Sequence, residues 1–351
     1  MKRNFNSDNV TPACAPIMAA LQAANEEPMS SYGADPLTQR LQAKASEIFE
    51  KEVVVFPVAT GTAANALALA QLVPPYGAVY CYEAAHLVTD ECGAPEFFTG
   101  GAKPIGLAAA DGRIMPEQIE KAVAFARDMG VHHVKPAAVS LTQASECGTV
   151  YTLAQVKAIA AVAKQHGLGL HMDGARFANA LAHLGCSAAE ATWRCGVDVL
   201  SLGATKNGAL CAEAVVFFDA HRADDFARRR KQAGHLWSKM RFLSAQLLAY
   251  LSDDLWLKNA RHANAMATAL ARSLQDLKGV RLLQSVDANE LFVAMPEALV
   301  AALEGAGFQF YRWPYPGLGD AVAIRLVTSY ATTGSDVEAF AAAARRFPAC
   351  S

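Results

Sequence analysis

Leu168-Gly169-Leu170-His171-Met172-Asp173-Gly174-Ala175-Arg176 is the stretch on which the fold turns. Leu168 to Met172 is apolar enough for a buried strand, and it ends abruptly in a carboxylate, a glycine, an alanine and an arginine. In open α/β sheets the carboxyl ends of the strands line the ligand crevice. Asp173 therefore stands where it can pair with a cationic ring nitrogen, and Arg176 where it can bind an oxyanion or a carboxylate. The same letters also fit an N-cap aspartate followed by a surface arginine, so the neighbours have to decide.

Working outward, strand-like and helix-like pieces alternate. Upstream lie a helix over 153–166, a strand near 137–141, a helix over 116–128 and a strand near 103–107. Before those come a helix around 86–93, a strand over 78–82, an Ala/Leu-rich helix after residue 60, a β-branched run over 52–58 that reads as a buried strand, and a helix over 36–50. Downstream are strands near 197–202 and 214–218. This order predicts an α/β fold, a mostly parallel sheet covered by helices on both faces. Residues 1–35 read as irregular and polar. After about residue 222 the pattern turns helical through 274, and from 280 a shorter α+β pattern follows. At 351 residues a single core is improbable. The expected division is a large domain over 1–250 and a small C-terminal domain over 251–351.

Three further segments carry chemistry. Ala59-Thr60-Gly61-Thr62 is a small loop running from a strand into a helix. Unpaired amides at such a helix start make an anion site suited to phosphate, with Gly61 allowing close approach and Thr62 offering a hydroxyl. Leu202-Gly203-Ala204-Thr205-Lys206-Asn207-Gly208 ends another strand with one lysine among small residues, open to a bulky aldehyde. A solvated loop lysine is its plainer alternative. His86 follows a strand where a helix begins, a place that a structural histidine also fills. Taken singly, each is ambiguous. In this order, on one sheet edge, they are the parts that pyridoxal-phosphate (PLP) chemistry requires: a phosphate cradle, a ring-stacking group, a carboxylate for the pyridine nitrogen and a lysine.

At this point the sequence resembles the fold-type I PLP enzymes, and within them the low-specificity L-threonine aldolase and phenylserine aldolase family. The matching stretches include Asn6-Ser7-Asp8-Asn9-Val10-Thr11, Tyr32-Gly33-Ala34-Asp35-Pro36, Ala59-Thr60-Gly61-Thr62, Ala84-Ala85-His86, His171 to Arg176, and Lys206. The resemblance implies cleavage of L-β-hydroxy-α-amino acids to glycine and an aldehyde. It implies that Lys206 anchors the cofactor, Asp173 pairs with its ring nitrogen, His86 stacks on the ring and Gly61 and Thr62 hold its phosphate. Ser7, Arg176 and Arg325 would bind the substrate carboxylate, with Tyr32 close by. Arg241 and Lys231 would reach the phosphate of a neighbouring subunit, implying a homodimer or a homotetramer. Where many threonine aldolases carry Glu-Asn-Thr-His-Asn, this chain reads Thr142-Gln143-Ala144-Ser145-Glu146-Cys147-Gly148, placing Glu146 opposite the family histidine. His86 and Glu146 are thus both candidate bases, and Trp237 and Phe242 are aromatic residues suited to a phenyl side chain.

Composition excludes other classes. The formal net charge is −2, which gives no electrostatic case for nucleic acid or an anionic membrane. Arg228-Arg229-Arg230-Lys231 is expected to be a solvated helix face. The eight cysteines form no CxxC pair and no Cys/His spacing suited to zinc, so no metal is expected. Without an apolar leader or a membrane-length apolar run, the expected setting is cytoplasmic. No G-x-G-x-x-G follows an early strand, which disfavours a dinucleotide-binding dehydrogenase. A PLP-dependent β-eliminating lyase or dehydratase would share Lys206, Asp173 and the phosphate loop, and stays open beside the aldolase.

Overall fold

The computed structural model describes residues 3–347. Its seven-stranded sheet comprises β1 (Val54–Val58), β2 (Gly77–Tyr82), β3 (Lys103–Leu107), β4 (Lys135–Thr142), β5 (Gly169–Gly174), β6 (Val199–Gly203) and β7 (Glu213–Phe217). The strands lie in the order β1-β7-β6-β5-β4-β2-β3. All neighbours are parallel except at β7, which runs antiparallel to both β1 and β6. The expected mostly parallel sheet is therefore present, with one reversed strand inside it. β1, expected to be buried, is the edge strand, and its first three residues are only half-buried.

The two faces of the sheet bury different residues, because side chains alternate along a strand. Leu170, Met172, Leu200 and Leu202 point into the main core. Val199, Val215 and Phe217 point to the opposite face, against Ala64, Leu67 and Ala68 of helix α1 (Gly61–Leu72). That helix is apolar on every side, and Ala63 through Ala70 are all buried. Small alanines let it sit close on the sheet. The Thr60 side chain caps its start by accepting from the Ala63 amide at 3.2 Å, a contact worth about 1 kcal/mol.

Sequence boundaries shift in several places. The helix expected over 86–93 is one turn, His86–Thr89, and a separate helix runs Ala94–Thr99. Between them Gly93 takes φ 73°, which breaks the helical run. The helical stretch after 222 is three helices: α2 (Phe226–Gln232), α3 (Arg241–Leu251) and α4 (Leu255–Leu274). The opening 35 residues contain a helix, Ala15–Ala23, and another unforeseen helix, Phe177–Leu184, follows the Asp173 strand.

A second sheet is antiparallel. It consists of β8 (Arg281–Leu282), β9 (Glu290–Pro296), β10 (Tyr311–Trp313) and β11 (Ala321–Val327), in the order β10-β11-β9-β8. Its core gathers Leu291, Val293, Ile324 and Leu326 with Phe340. Helix α4 spans both cores: Trp256 and Ala260 belong to the first, and Ala267, Leu270 and Leu274 to the second. The N-terminal segment joins them from the other side. Arg3–Asn4 pair in parallel with Phe308–Gln309, and Phe5 packs edge-on against Phe340 at 5.4 Å. The chain then runs directly to the edge where Asp173 ends β5.

Candidate active site

A cavity of about 390 Å³ opens at the carboxyl edge of the large sheet. Gly61, Thr62, His86, Glu146, Asp173, Arg176 and Lys206 all line it. Residues from the start, middle and later part of the chain thus meet because β1, β5 and β6 end at one edge.

The α1 terminus supplies the anion cradle. A Cβ added to Gly61 would meet nothing within 4 Å, so the backbone there faces open cavity. Unpaired first-turn amides and the helix dipole favour an anion at this point. Three strands away, on β5, Asp173 is fixed from both sides. Its Oδ1 accepts from the Ala175 amide at 2.9 Å, and its Oδ2 from Asn65 Nδ2 at 2.7 Å.

Asn65 links two carboxylates, because its Nδ2 also donates to Glu91 Oε1 at 2.8 Å. Glu91 in turn meets His86 Nδ1 at 2.9 Å. The hydrogen bond to Glu91 raises the His86 imidazole above its ordinary pKa, while burial pushes the Glu91 carboxyl up. Asn65 and Glu91 were not singled out from the sequence. Asn65 sits in an Ala/Leu helix, and Glu91 carried no signal beyond its nearness to His86. On the same sheet face a buried histidine, His171, bridges Ser140 on β4 (2.8 Å) and Ser201 on β6 (2.9 Å). Burial lowers its pKa to about 4, so it is neutral and underpins the floor of the cavity.

Glu146 lies beside His86. Its Oε1 accepts from Thr142 Oγ1 at 2.7 Å and from the His86 amide at 3.0 Å. Its Oε2 is buried with no partner among the described residues. Burial raises this carboxyl to about 7.

Arg176 is held by the protein before any ligand arrives. Its Nε and Nη2 donate to the two oxygens of Asp8 at 2.8 and 3.0 Å, and its Nη1 lies 3.1 Å from Glu290 Oε2. Burial alone would raise the Asp8 carboxyl, but the Arg176 guanidinium outweighs it and holds it below its ordinary value. Arg325 stands behind, 3.8 Å from Glu290 and stacked on Trp313 (4.7 Å), donating to the Asn6 carbonyl at 3.2 Å. Ser7 caps the short turn that carries Asp8, accepting from the Asn9 amide at 3.1 Å. Ser7 and Arg325 thus belong to the cluster around Asp8 and Glu290 that holds Arg176, behind the cavity wall; Arg176 itself and Asn9 are the residues of this cluster that line the cavity.

Tyr32, Lys231 and Arg241 lie elsewhere. Lys231 Nζ sits 4.7 Å above the exposed Tyr32 ring, and Arg241 donates to the Ala24 carbonyl at 3.0 Å. Neither Trp237, which is exposed, nor Phe242, on a separate surface groove, lines the cavity. The basic run is not wholly solvated. Arg230 is buried, stacked on Phe56 and donating to the Pro57 carbonyl at 3.2 Å. The periodicity of its own helix, α2, turns that one residue toward β1.

An anion-binding helix terminus, a strand-end carboxylate and a lysine on one edge of such a sheet define a class: the fold-type I PLP-dependent enzymes. Residues 4–298 match the Beta-eliminating lyase family. A low-specificity L-threonine aldolase of Pseudomonas sp. is 44% identical over 340 residues, 97% of this chain and 96% of the relative. One from Pseudomonas aeruginosa is 46% identical over 311 residues, 89% of each. A threonine aldolase structure from Leishmania major superposes with a TM-score of 0.91 at 28% identity, covering 98% of both chains. The chain belongs to the Beta-eliminating lyase family, within its low-specificity threonine aldolase group.

Proposed function

We propose that this protein is a PLP-dependent aldolase that cleaves L-β-hydroxy-α-amino acids to glycine and an aldehyde. The observation that carries this is the convergence of Lys206, Asp173 and the α1 terminus on one cavity, in a chain so similar to threonine aldolases.

Lys206 would hold the cofactor covalently, Asp173 its ring nitrogen, His86 its ring face and Gly61 and Thr62 its phosphate. The site fits it: an open cradle at Gly61, a carboxylate ready for a cationic nitrogen, and room for a ring between them. When bound, the cofactor supplies an electron sink for the charge left on Cα. The chain's own residues do the rest. Arg176, with Arg325 and Ser7 beside it, orients the substrate carboxylate, which decides which Cα bond is aligned for cleavage. Asp8 and Glu290 lock that guanidinium in place, so little ordering remains for the substrate to impose. His86, whose Nδ1 faces Glu91, presents Nε2 as one base for the β-hydroxyl proton. Glu146 Oε2 is the other.

Lys231 and Tyr32 are exposed on the single chain and Arg241 is half-buried, all three away from its own cavity. Their placement supports a homodimer or homotetramer in which they complete a neighbour's site. Product analysis tests the assignment. L-Threonine and L-threo-phenylserine are incubated separately with the PLP-loaded protein, and glycine, aldehyde, ammonia and oxo acid are quantified. Equimolar glycine and aldehyde are expected. Ammonia and oxo acid without glycine would move the protein to the eliminating lyases.

A further inference from the structure

Glu213 is a buried acid at the cavity that no step above uses. It begins β7, the reversed strand. Because that strand runs backwards, its first residue lies at the edge where the parallel strands end, paired in register with Gly203 on β6 and Val58 on β1. It lines the cavity together with Lys206. Its Oε2 accepts from the Ala204 amide at 3.0 Å, and Thr205 also donates to it. Ala204 and Thr205 are the two residues that lead into Lys206, so this carboxyl grips the turn that aims the lysine.

Among the described residues, Lys206 is the cation whose charge acts on Glu213. From the turn it faces Thr205 and Lys206. From α3, the Tyr250 hydroxyl donates to the Gly203 carbonyl at 3.2 Å. Asp173 is two strands away on β5. On the β1 side, His235 accepts from the Ala59 amide and Arg230 donates to the Pro57 carbonyl. Burial raises the Glu213 carboxyl to about 7, with Lys206 opposing that rise.

We propose that Glu213 is a positioning residue for Lys206: its carboxyl fixes the Ala204–Thr205 turn and supplies the charge against which the lysine amine is held. The proposal rests on Lys206 being the cofactor anchor. When the carboxyl ionises, its charge favours a cationic nitrogen at Lys206. When it is neutral, that bias is gone, yet the turn keeps its acceptor. Glutamine preserves the acceptor and removes the charge, so it separates the two parts of the role.

The test is a pH titration of the visible absorption of PLP-loaded protein, comparing wild type with Glu213→Gln. Cofactor stoichiometry and thermal unfolding are measured alongside. The expected result is full stoichiometry, unchanged folding near neutral pH and a midpoint displaced to lower pH by about one pH unit, the scale of one nearby charge. An identical midpoint in the two proteins overturns the proposal while leaving Lys206 as the anchor. Absence of any lysine-linked absorption in wild type, checked by borohydride trapping and mass spectrometry of the Lys206 peptide, overturns both. Should Glu213→Gln fail to fold, infrared spectra of the Glu146→Gln protein across the same titration decide. A protonated-carboxyl band that vanishes in step with the visible change supports the coupling, and one that titrates apart from it refutes the coupling.

Discussion

Replacing Glu146 with glutamine should make the protein more stable at alkaline pH and leave it nearly unchanged in acid. The carboxyl is buried, accepts two hydrogen bonds through Oε1 and leaves Oε2 unpartnered. Burial raises it from the ordinary 4.5 to about 7. A carboxyl raised in the fold contributes stability that is fully present below its unfolded value and lost as pH climbs through its folded value. The gap between 4.5 and about 7, at about 1.4 kcal/mol for each step of one in pH, is worth about 3 kcal/mol. Glutamine keeps an oxygen for Thr142 and the His86 amide and never ionises. Cofactor-free wild type and Glu146→Gln would be unfolded in urea at a series of pH values. Near pH 4, below the unfolded value of 4.5, the curves should nearly coincide. By about pH 9 the variant should be ahead by about 3 kcal/mol, roughly 1 M in midpoint for a slope of about 3 kcal/mol per molar. A difference that stays constant across pH would show that the carboxyl is not held neutral by burial. The account of Glu146 as a group able to exchange a proton near neutrality would then fail.

Lys206→Ala should bind PLP without a covalent link and lose turnover; borohydride trapping and glycine release read both, and ordinary aldolase activity in the variant would sink the anchor assignment. Asp8→Asn leaves Arg176 with Glu290 as its remaining charged partner, and should cost somewhat less than the about 3–5 kcal/mol of a fully broken buried pair. Because Asp8 is held below its ordinary value, its stabilising effect is present above pH 3.8 and lost as pH falls through the folded value. The gap between variant and wild type in urea midpoint should therefore close in strong acid. Gly203→Ala puts a Cβ 2.6 Å from the Ala175 carbonyl oxygen and 2.7 Å from its Cα. It should destabilise by about 1–3 kcal/mol and raise KM by moving the turn before Arg176, as steady-state kinetics would register.

The parts of the site that sit at parallel strand ends were legible in the chain. Asp173 and Lys206 each follow an apolar run, and Gly61 follows the β-branched β1, so strand direction alone puts them on one edge. Glu213 escaped because the same logic fails on a reversed strand: its site residue is at the start, and nothing local in Glu213–Phe217 reports its direction. Asp8 is named in the opening motif, but its ion pair with Arg176 spans 168 residues and depends on how Phe5 docks in the second core. Asn65 was hidden by its setting, since a polar residue in a helix of alanines and leucines reads as incidental until Asp173 and Glu91 are seen on either side of it. The placement of Tyr32, Lys231 and Arg241 away from the cavity depends on residues 233–240 between two helices, where the Tyr32 amide docks on the Ser238 carbonyl, and for such a segment periodicity has no vocabulary.

The N-terminal thread from Arg3 to Asp8 stitches the second sheet to the large cavity within six residues. It pairs with Phe308–Gln309, buries Phe5 and delivers Asp8 to Arg176. For anyone altering this protein, that thread is a drawstring: slack introduced at one end is felt at the other. Phe5→Ala, a change in the second core, should let Asp8 and with it Arg176 wander, blunting substrate capture in a molecule whose large sheet and cofactor cradle were otherwise whole.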